Sequence, residues 1–192
     1  MKVWCGQSAD QLAEDTPDLV VFPECVSLRD IQAAAALLPR AIVVGAVLEA
    51  SRVRGIVWHL GCNRIDYAKV GFDGHTDGGP PPERLPIYAV GDVHVGTLVC
   101  MDVQLPELRN AVVDALRAST AQFKIVGVPA EMQRGSWFVD DWVGPVWRGT
   151  VLALSNGVSR YPDSRLPSFI TDTDGLKVAV QERTEPIWLR LD

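Results

Sequence analysis

Val93-His94-Val95-Gly96-Thr97-Leu98-Val99-Cys100-Met101-Asp102, running on through Leu105-Pro106-Glu107 to Arg117 and then Phe123-Lys124-Ile125-Val126-Gly127-Val128, changes its hydrophobic period twice. The first run is β-branched and apolar up to Cys100, the pattern of a strand buried on both faces. Asp102, Gln104 and Pro106 then mark a helix start, because proline at a first helical position has no N–H to leave unsatisfied. Apolar residues at Leu105, Leu108, Val112, Ala115 and Leu116 keep helical spacing over Leu105 to Arg117. A second apolar run at Phe123 to Val128 follows. Strand, helix and strand in that order predict an α/β fold with parallel strands.

Similar short runs bounded by Gly, Pro and Asp occur on both sides of this unit. Strands are predicted at Lys2 to Cys5, Asp18 to Phe22, Ala41 to Val47, Gly55 to His59 and Arg64 to Lys69, with a helix over Leu28 to Leu38. The C-terminal third is strand-rich without crossover helices: Val151 to Leu154, Ser168 to Thr171, Leu176 to Val180 and Ile187 to Leu191, joined by turns such as Thr173-Asp174-Gly175. No internal repeat, low-complexity tract or dividing linker is visible, so residues 1–192 read as one mixed α/β domain. Gly71 to Pro86, with four glycines and four prolines, can sustain neither a helix nor a central strand and is expected to be a loop, either a surface excursion or a lid.

Composition narrows the function. The 192 residues carry 18 Lys+Arg against 24 Asp+Glu, a formal charge of −6, with 47 % hydrophobic residues. That balance opposes the basic face needed for nucleic acid or an anionic membrane, and favours a small molecule or a protein as partner. The longest apolar run, Ala41 to Leu48, is broken by Gly45 and is far short of the roughly 20 residues that span a bilayer. The N-terminus lacks the apolar core and cleavage site of a secretory signal, so a cytoplasmic location is the expectation. Cysteines 5, 25, 62 and 100 form no C-x-x-C pair or disulfide framework, and free thiols are expected. His59 and Cys62 make half of a zinc-ligand pattern with no second half, so no metal is assigned.

Reactive side chains stand where three apolar runs stop: Glu24 after Leu19-Val20-Val21-Phe22-Pro23, Lys69 after Ile65-Asp66-Tyr67-Ala68, and Cys100 after Gly96-Thr97-Leu98-Val99. In open α/β sheets the crevice beyond the carboxyl ends of strands is the usual site. A helix start close behind Cys100 would favour thiolate over thiol. Taken singly, each has an ordinary reading: a core cysteine, a solvated strand-end carboxylate, a surface amine.

Taken together, Phe22-Pro23-Glu24, Tyr67-Ala68-Lys69-Val70 and Gly96-Thr97-Leu98-Val99-Cys100-Met101-Asp102 with Leu105-Pro106-Glu107 resemble the Glu, Lys and Cys motifs of the nitrilase superfamily of carbon-nitrogen hydrolases, in that family's order. Ala41 to Gly45, Ile125 to Ala130, Asn156-Gly157, Ser168 to Gly175 and Leu189 to Asp192 resemble its other strands, so the likeness covers essentially the whole chain. Family members are usually longer, the missing length falling at the first helix, between Lys69 and Cys100, and around Trp137 to Gly149. The Lys motif commonly continues with histidine and leucine, where this chain has Val70-Gly71-Phe72. Many members carry a second pocket glutamate between lysine and cysteine, for which Glu83 is the only glutamate available here.

The resemblance implies an α-β-β-α sandwich, two mixed sheets face to face with helices outside, commonly paired through the outer helices into homodimers or larger homo-oligomers. It implies hydrolysis of a non-peptide carbon-nitrogen bond, in a small amide or carbamoyl compound rather than a nitrile. Cys100 would be the nucleophile, Glu24 the general base, and Lys69 with the backbone N–H of Met101 the oxyanion stabilisers. No metal or organic cofactor is implied. Met132 and Trp137, with Trp142 and Trp147, fall where the family builds part of its pocket; tryptophans spaced five apart equally suit core or interface. Two alternatives remain: acyl transfer from the same thioester to another nucleophile, and a binding or structural protein that kept the scaffold and lost activity.

Overall fold

The computed structural model describes residues 1–12, 16–71, 78–132, 146–157, 167–181 and 185–192. In chain order its strands are β1 (Lys2–Cys5), β2 (Leu19–Glu24), β3 (Ile42–Glu49), β4 (Arg52–His59), β5 (Cys62–Ala68), β6 (Ile87–Val90), β7 (Val93–Thr97), β8 (Phe123–Ala130), β9 (Val151–Asn156), β10 (Ser168–Thr171), β11 (Lys177–Gln181) and β12 (Ile187–Arg190). Helix α1 (Leu28–Leu37) joins β2 to β3, and α2 (Pro106–Ala118) joins β7 to β8. The strands form two sheets, β12-β1-β2-β3-β4-β5 and β11-β10-β9-β8-β7-β6.

Both sheets follow one plan. Three parallel strands (β1–β2–β3, β7–β8–β9) are flanked by one antiparallel strand on one side (β12, β6) and by two on the other (β4 and β5, β10 and β11). Topology thus repeats where no residue pattern does, because a sheet needs only the alternation of apolar and polar positions, not particular side chains.

Period-two alternation sorts the buried residues into layers. Val3, Leu19, Val21, Val44 and Val57 of the first sheet meet Val95, Ile125, Val151, Ala153 and Ile170 of the second between the sheets. On the far side of the first sheet, Trp4, Val20, Phe22 and Val43 pack under Ile31 and Ala34 of α1. On the far side of the second, Val126, Val128, Leu152 and Leu154 pack under Val112, Val113 and Leu116 of α2, with Trp147. Gly96 lets α2 lie directly on β7, since a Cβ there would stand 2.6 Å from Val112 Cγ1. The order is helix, sheet, sheet, helix, the α-β-β-α sandwich.

Strand β6 lies just past the proline-rich loop, in residues for which no strand is expected from the sequence. Four residues after Pro86 give too short a run to be distinctive; pairing with β7 across Gly91-Asp92 makes them a strand. Behind Cys100 the helix starts where Pro106 placed it. Residues Cys100–Gln104 form a 3₁₀ turn, and α2 begins only at Pro106 with Leu105 as its N-cap. The positive end of α2 is therefore one turn away from the thiol, not beneath it.

Candidate active site

Glu24 ends β2 just past a register shift between Val21 and Glu24, where Pro23 has no N–H to give the ladder. The chain then turns through Cys25 at φ 63° and enters α1, whose N-cap Ser27 accepts from Asp30 N–H at 3.1 Å. Lys69 follows β5, its backbone fixed by Lys69 N–H to Val53 O at 2.8 Å and Gly79 N–H to Lys69 O at 2.7 Å. Lys69 Nζ donates to Glu24 Oε1 at 2.8 Å, with both side chains fully buried. Among the described residues no donor reaches Glu24 Oε2 with hydrogen-bond geometry, which leaves that oxygen open to a proton.

Cys100 follows β7 at φ 47°, a left-handed conformation that is strained for a residue with a Cβ. It is 3 % exposed. Its thiol pKa is pushed well up, first by burial and then by the charge of Glu24, against the opposing pull of Lys69 and of a hydrogen bond from the Glu131 backbone. The resting group is therefore a neutral thiol. Burial and the Glu24 charge thus favour the thiol over the thiolate that a nearby helix start would favour, with the Glu24 carboxyl group beside it.

A second set of buried groups ties these segments together. Asp102 Oδ1 accepts from Val70 N–H at 2.9 Å and Gly71 N–H at 2.7 Å, and Asp102 Oδ2 accepts from Tyr67 OH at 2.9 Å. Tyr67 OH in turn accepts from Val99 N–H at 2.9 Å. In the sequence Asp102 reads as a helix-start signal and Tyr67 as part of a strand; that they would meet is not visible from spacing.

Of the other sequence candidates, Met101 follows Cys100 in the 3₁₀ turn. Met132 is buried in the core around Cys100, its N–H and C=O held by the Asn156 side-chain amide at 2.7 and 2.9 Å. Glu83 is exposed, lining a groove with Arg64, Asp66 and the prolines of its own loop, and is not among the buried groups around Cys100. Trp147 is a core residue under α2, while Trp137 and Trp142 lie outside the described residues, as do residues 72–77 of the Gly71 to Pro86 loop. Glu131, absent from the candidates, is a buried carboxyl group whose backbone N–H borders the Cys100 sulfur. Its signal is the echo between Val20-Val21-Phe22-Pro23-Glu24 and Val126-Gly127-Val128-Pro129-Ala130-Glu131, which end the middle strands of the two equivalent sheets. His59 turns its ring to Tyr88 OH at 2.9 Å and Arg40 O at 3.2 Å, while Cys62 is exposed. No cluster of three metal-binding side chains occurs among the described residues.

Burial leaves a mark on stability. The thiols of Cys5 and Cys100 and the phenol of Tyr67 are all pushed up, burial being the largest cause in each. In the unfolded chain thiols ionise near 8.5 and tyrosine near 10, so at higher pH the unfolded state binds fewer protons and stability falls, by up to ~1.4 kcal/mol per pH unit for each group. The urea midpoint should drop between pH 8 and pH 10; a flat midpoint would show that these groups ionise freely in the folded protein.

No protein-family model and no curated protein matches the chain. Solved structures do. An amidase from Nesterenkonia superposes with a TM-score of 0.68 at 18 % identity, over 98 % of this chain and 88 % of that one. A carbon-nitrogen hydrolase superfamily protein from Xanthomonas campestris, with an arsenic adduct in its active site, gives 0.72 at 16 % identity, over 98 % and 89 %. A cysteine-to-alanine mutant of the Nesterenkonia amidase in complex with butyramide gives 0.67 at 18 % identity, over 98 % and 88 %. The chain has the fold of nitrilase-superfamily amidases.

Proposed function

We propose that this chain is a nitrilase-superfamily enzyme that hydrolyses the carbon-nitrogen bond of a small amide or carbamoyl compound through a Cys100 thioester. What supports this most directly is the convergence of three strand ends on one buried set, Lys69 Nζ 2.8 Å from Glu24 Oε1 with the Cys100 thiol against the same carboxyl group. In the first step the sulfur attacks the carbonyl carbon while its proton passes to Glu24. The oxyanion forms against Lys69 Nζ and the Met101 N–H. Collapse breaks the carbon-nitrogen bond, Glu24 returns its proton to the departing nitrogen, and a thioester remains. Water then attacks with Glu24 as base, the carbon-sulfur bond breaks, and the proton goes back to sulfur.

A neutral thiol suits this cycle, because its proton passes to Glu24 during the attack and no external base is needed. The test is incubation with short aliphatic amides, butyramide included, and with N-carbamoyl compounds, following ammonia release and the mass of the Cys100 peptide after an acid quench. Ammonia with a transient acyl increment on that peptide is expected. Neither ammonia nor increment across the panel would favour the scaffold-only alternative; acyl transfer would appear as product that depends on an added amine or hydroxyl acceptor.

A further inference from the structure

Tyr67 and Asp102 are buried, and every hydrogen of their network has an assigned direction. Val70 and Gly71 can only donate to Asp102 Oδ1. Tyr67 OH accepts from Val99 N–H and so spends its own hydrogen on Asp102 Oδ2. Both carboxyl oxygens therefore face donors; burial still pushes the Asp102 pKa above the ordinary carboxylate value, and these bonds oppose that push.

The positions of the donors give the network its meaning. Val70 and Gly71 immediately follow Lys69, Val99 immediately precedes Cys100, and Asp102 closes the turn that Cys100 opens, with Asp102 N–H to Val99 O at 2.9 Å. Four bonds thus join the segment after β5 in one sheet to the turn after β7 in the other. The fit is close on both sides. A Cβ at Gly71 would stand 2.8 Å from Met101 Cβ, and one at Gly55 would stand 2.4 Å from the Tyr67 ring and 2.9 Å from Val99 Cγ2. Between them Cys100 keeps a strained φ, which persists only where the surroundings over-determine it.

We infer that Tyr67 and Asp102 are positioning residues: they hold the Cys100 turn and the Lys69 segment in one register. This role stands on the geometry of the four bonds; its effect on turnover rests on the amidase reading.

The variants that test this are Asp102→Asn and Tyr67→Phe, the second keeping the ring and losing only the hydroxyl. Asn can turn one oxygen toward the donors, and its NH₂ then faces either Tyr67 OH or the two N–H groups. Two readouts are used: the rate of Cys100 alkylation by iodoacetamide against pH, followed on the Cys100 peptide, and kcat and KM per alkylatable Cys100 on whichever amide the wild type hydrolyses. Asp102→Asn should lower kcat about 100-fold and Tyr67→Phe about 10-fold, with KM within about threefold, as expected for loss of pre-organisation rather than of substrate contact. Both should move the alkylation profile toward that of an ordinary thiol as the turn loosens. A merely structural role would lower thermal stability while leaving kcat per site and the profile of the folded protein unchanged, and that result overturns the inference. If the wild type hydrolyses no amide, the functional reading fails, yet the alkylation profiles still decide the positioning role.

Discussion

Cys100→Ser should lower turnover by at least about three orders of magnitude while leaving the unfolding midpoint close to wild type. Oxygen and sulfur differ little in size, the site is 3 % exposed, and neither the Lys69–Glu24 pair nor the Tyr67–Asp102 bonds pass through the sulfur, so the fold has little to lose. The chemistry loses much. A hydroxyl is a far weaker acid than a thiol, and here even the thiol is held neutral by burial and by the Glu24 charge, so general-base assistance would have to remove a much less acidic proton in the same dry pocket. Cys100→Ala should be equally inactive. Its substrate complex would be long-lived enough to bind without turnover, as KM-independent equilibrium binding of an amide would show. Wild-type-like turnover in either variant would refute the nucleophile assignment.

How far the chain announced this arrangement depends on what kind of signal each part uses. Strands such as Lys2–Cys5 and Ser168–Thr171 and the two helices were legible because β-branched runs and 3.6-residue spacing are local properties. The acid, amine and thiol were legible as strand-end punctuation, and the resemblance supplied their order. Pairwise geometry was not. Asp102 has an adequate local explanation as a helix-start residue, and nothing near it in sequence reveals that its oxygens are taken by Tyr67, Val70 and Gly71, more than thirty residues away. Glu83 was chosen for lying between Lys69 and Cys100, but position along the chain does not bring a loop carboxylate inside, and in the proline run it stays exposed. Trp147 takes the core place that its spacing allowed, under α2, where Arg117 holds Val146 O and Arg148 O at 2.9 and 2.7 Å. The helix start at Pro106 was legible, but not that burial and the Glu24 charge would outweigh it at the Cys100 thiol.

The buried Lys69–Glu24 pair, central to the proposed reaction, is also the least forgiving element of the site, and a double-mutant cycle should separate the two properties. Lys69 and Glu24 are both fully buried, so removing one partner takes from the other its 2.8 Å ion-pair contact in a medium that solvates charge poorly. Lys69→Met should cost about 3–5 kcal/mol of stability, and Glu24→Leu a comparable amount, whereas the double variant, with two apolar side chains in the same space, should recover most of it. The two singles should differ in pH dependence. In Lys69→Met the stranded Glu24 can shed its charge by taking up a proton that the unfolded chain does not hold, so its stability deficit should be smaller at pH 5 than at pH 8. Activity should follow no such recovery: each single and the double should fall at least about a thousandfold, since the base or the oxyanion stabiliser is gone in every case. Urea unfolding of the four proteins at the two pH values, beside turnover on one amide, reads both quantities. A double variant as unstable as the singles would mean that the pair is held for packing rather than charge. A Lys69→Met enzyme retaining a tenth of wild-type turnover would remove the ammonium from the chemistry altogether.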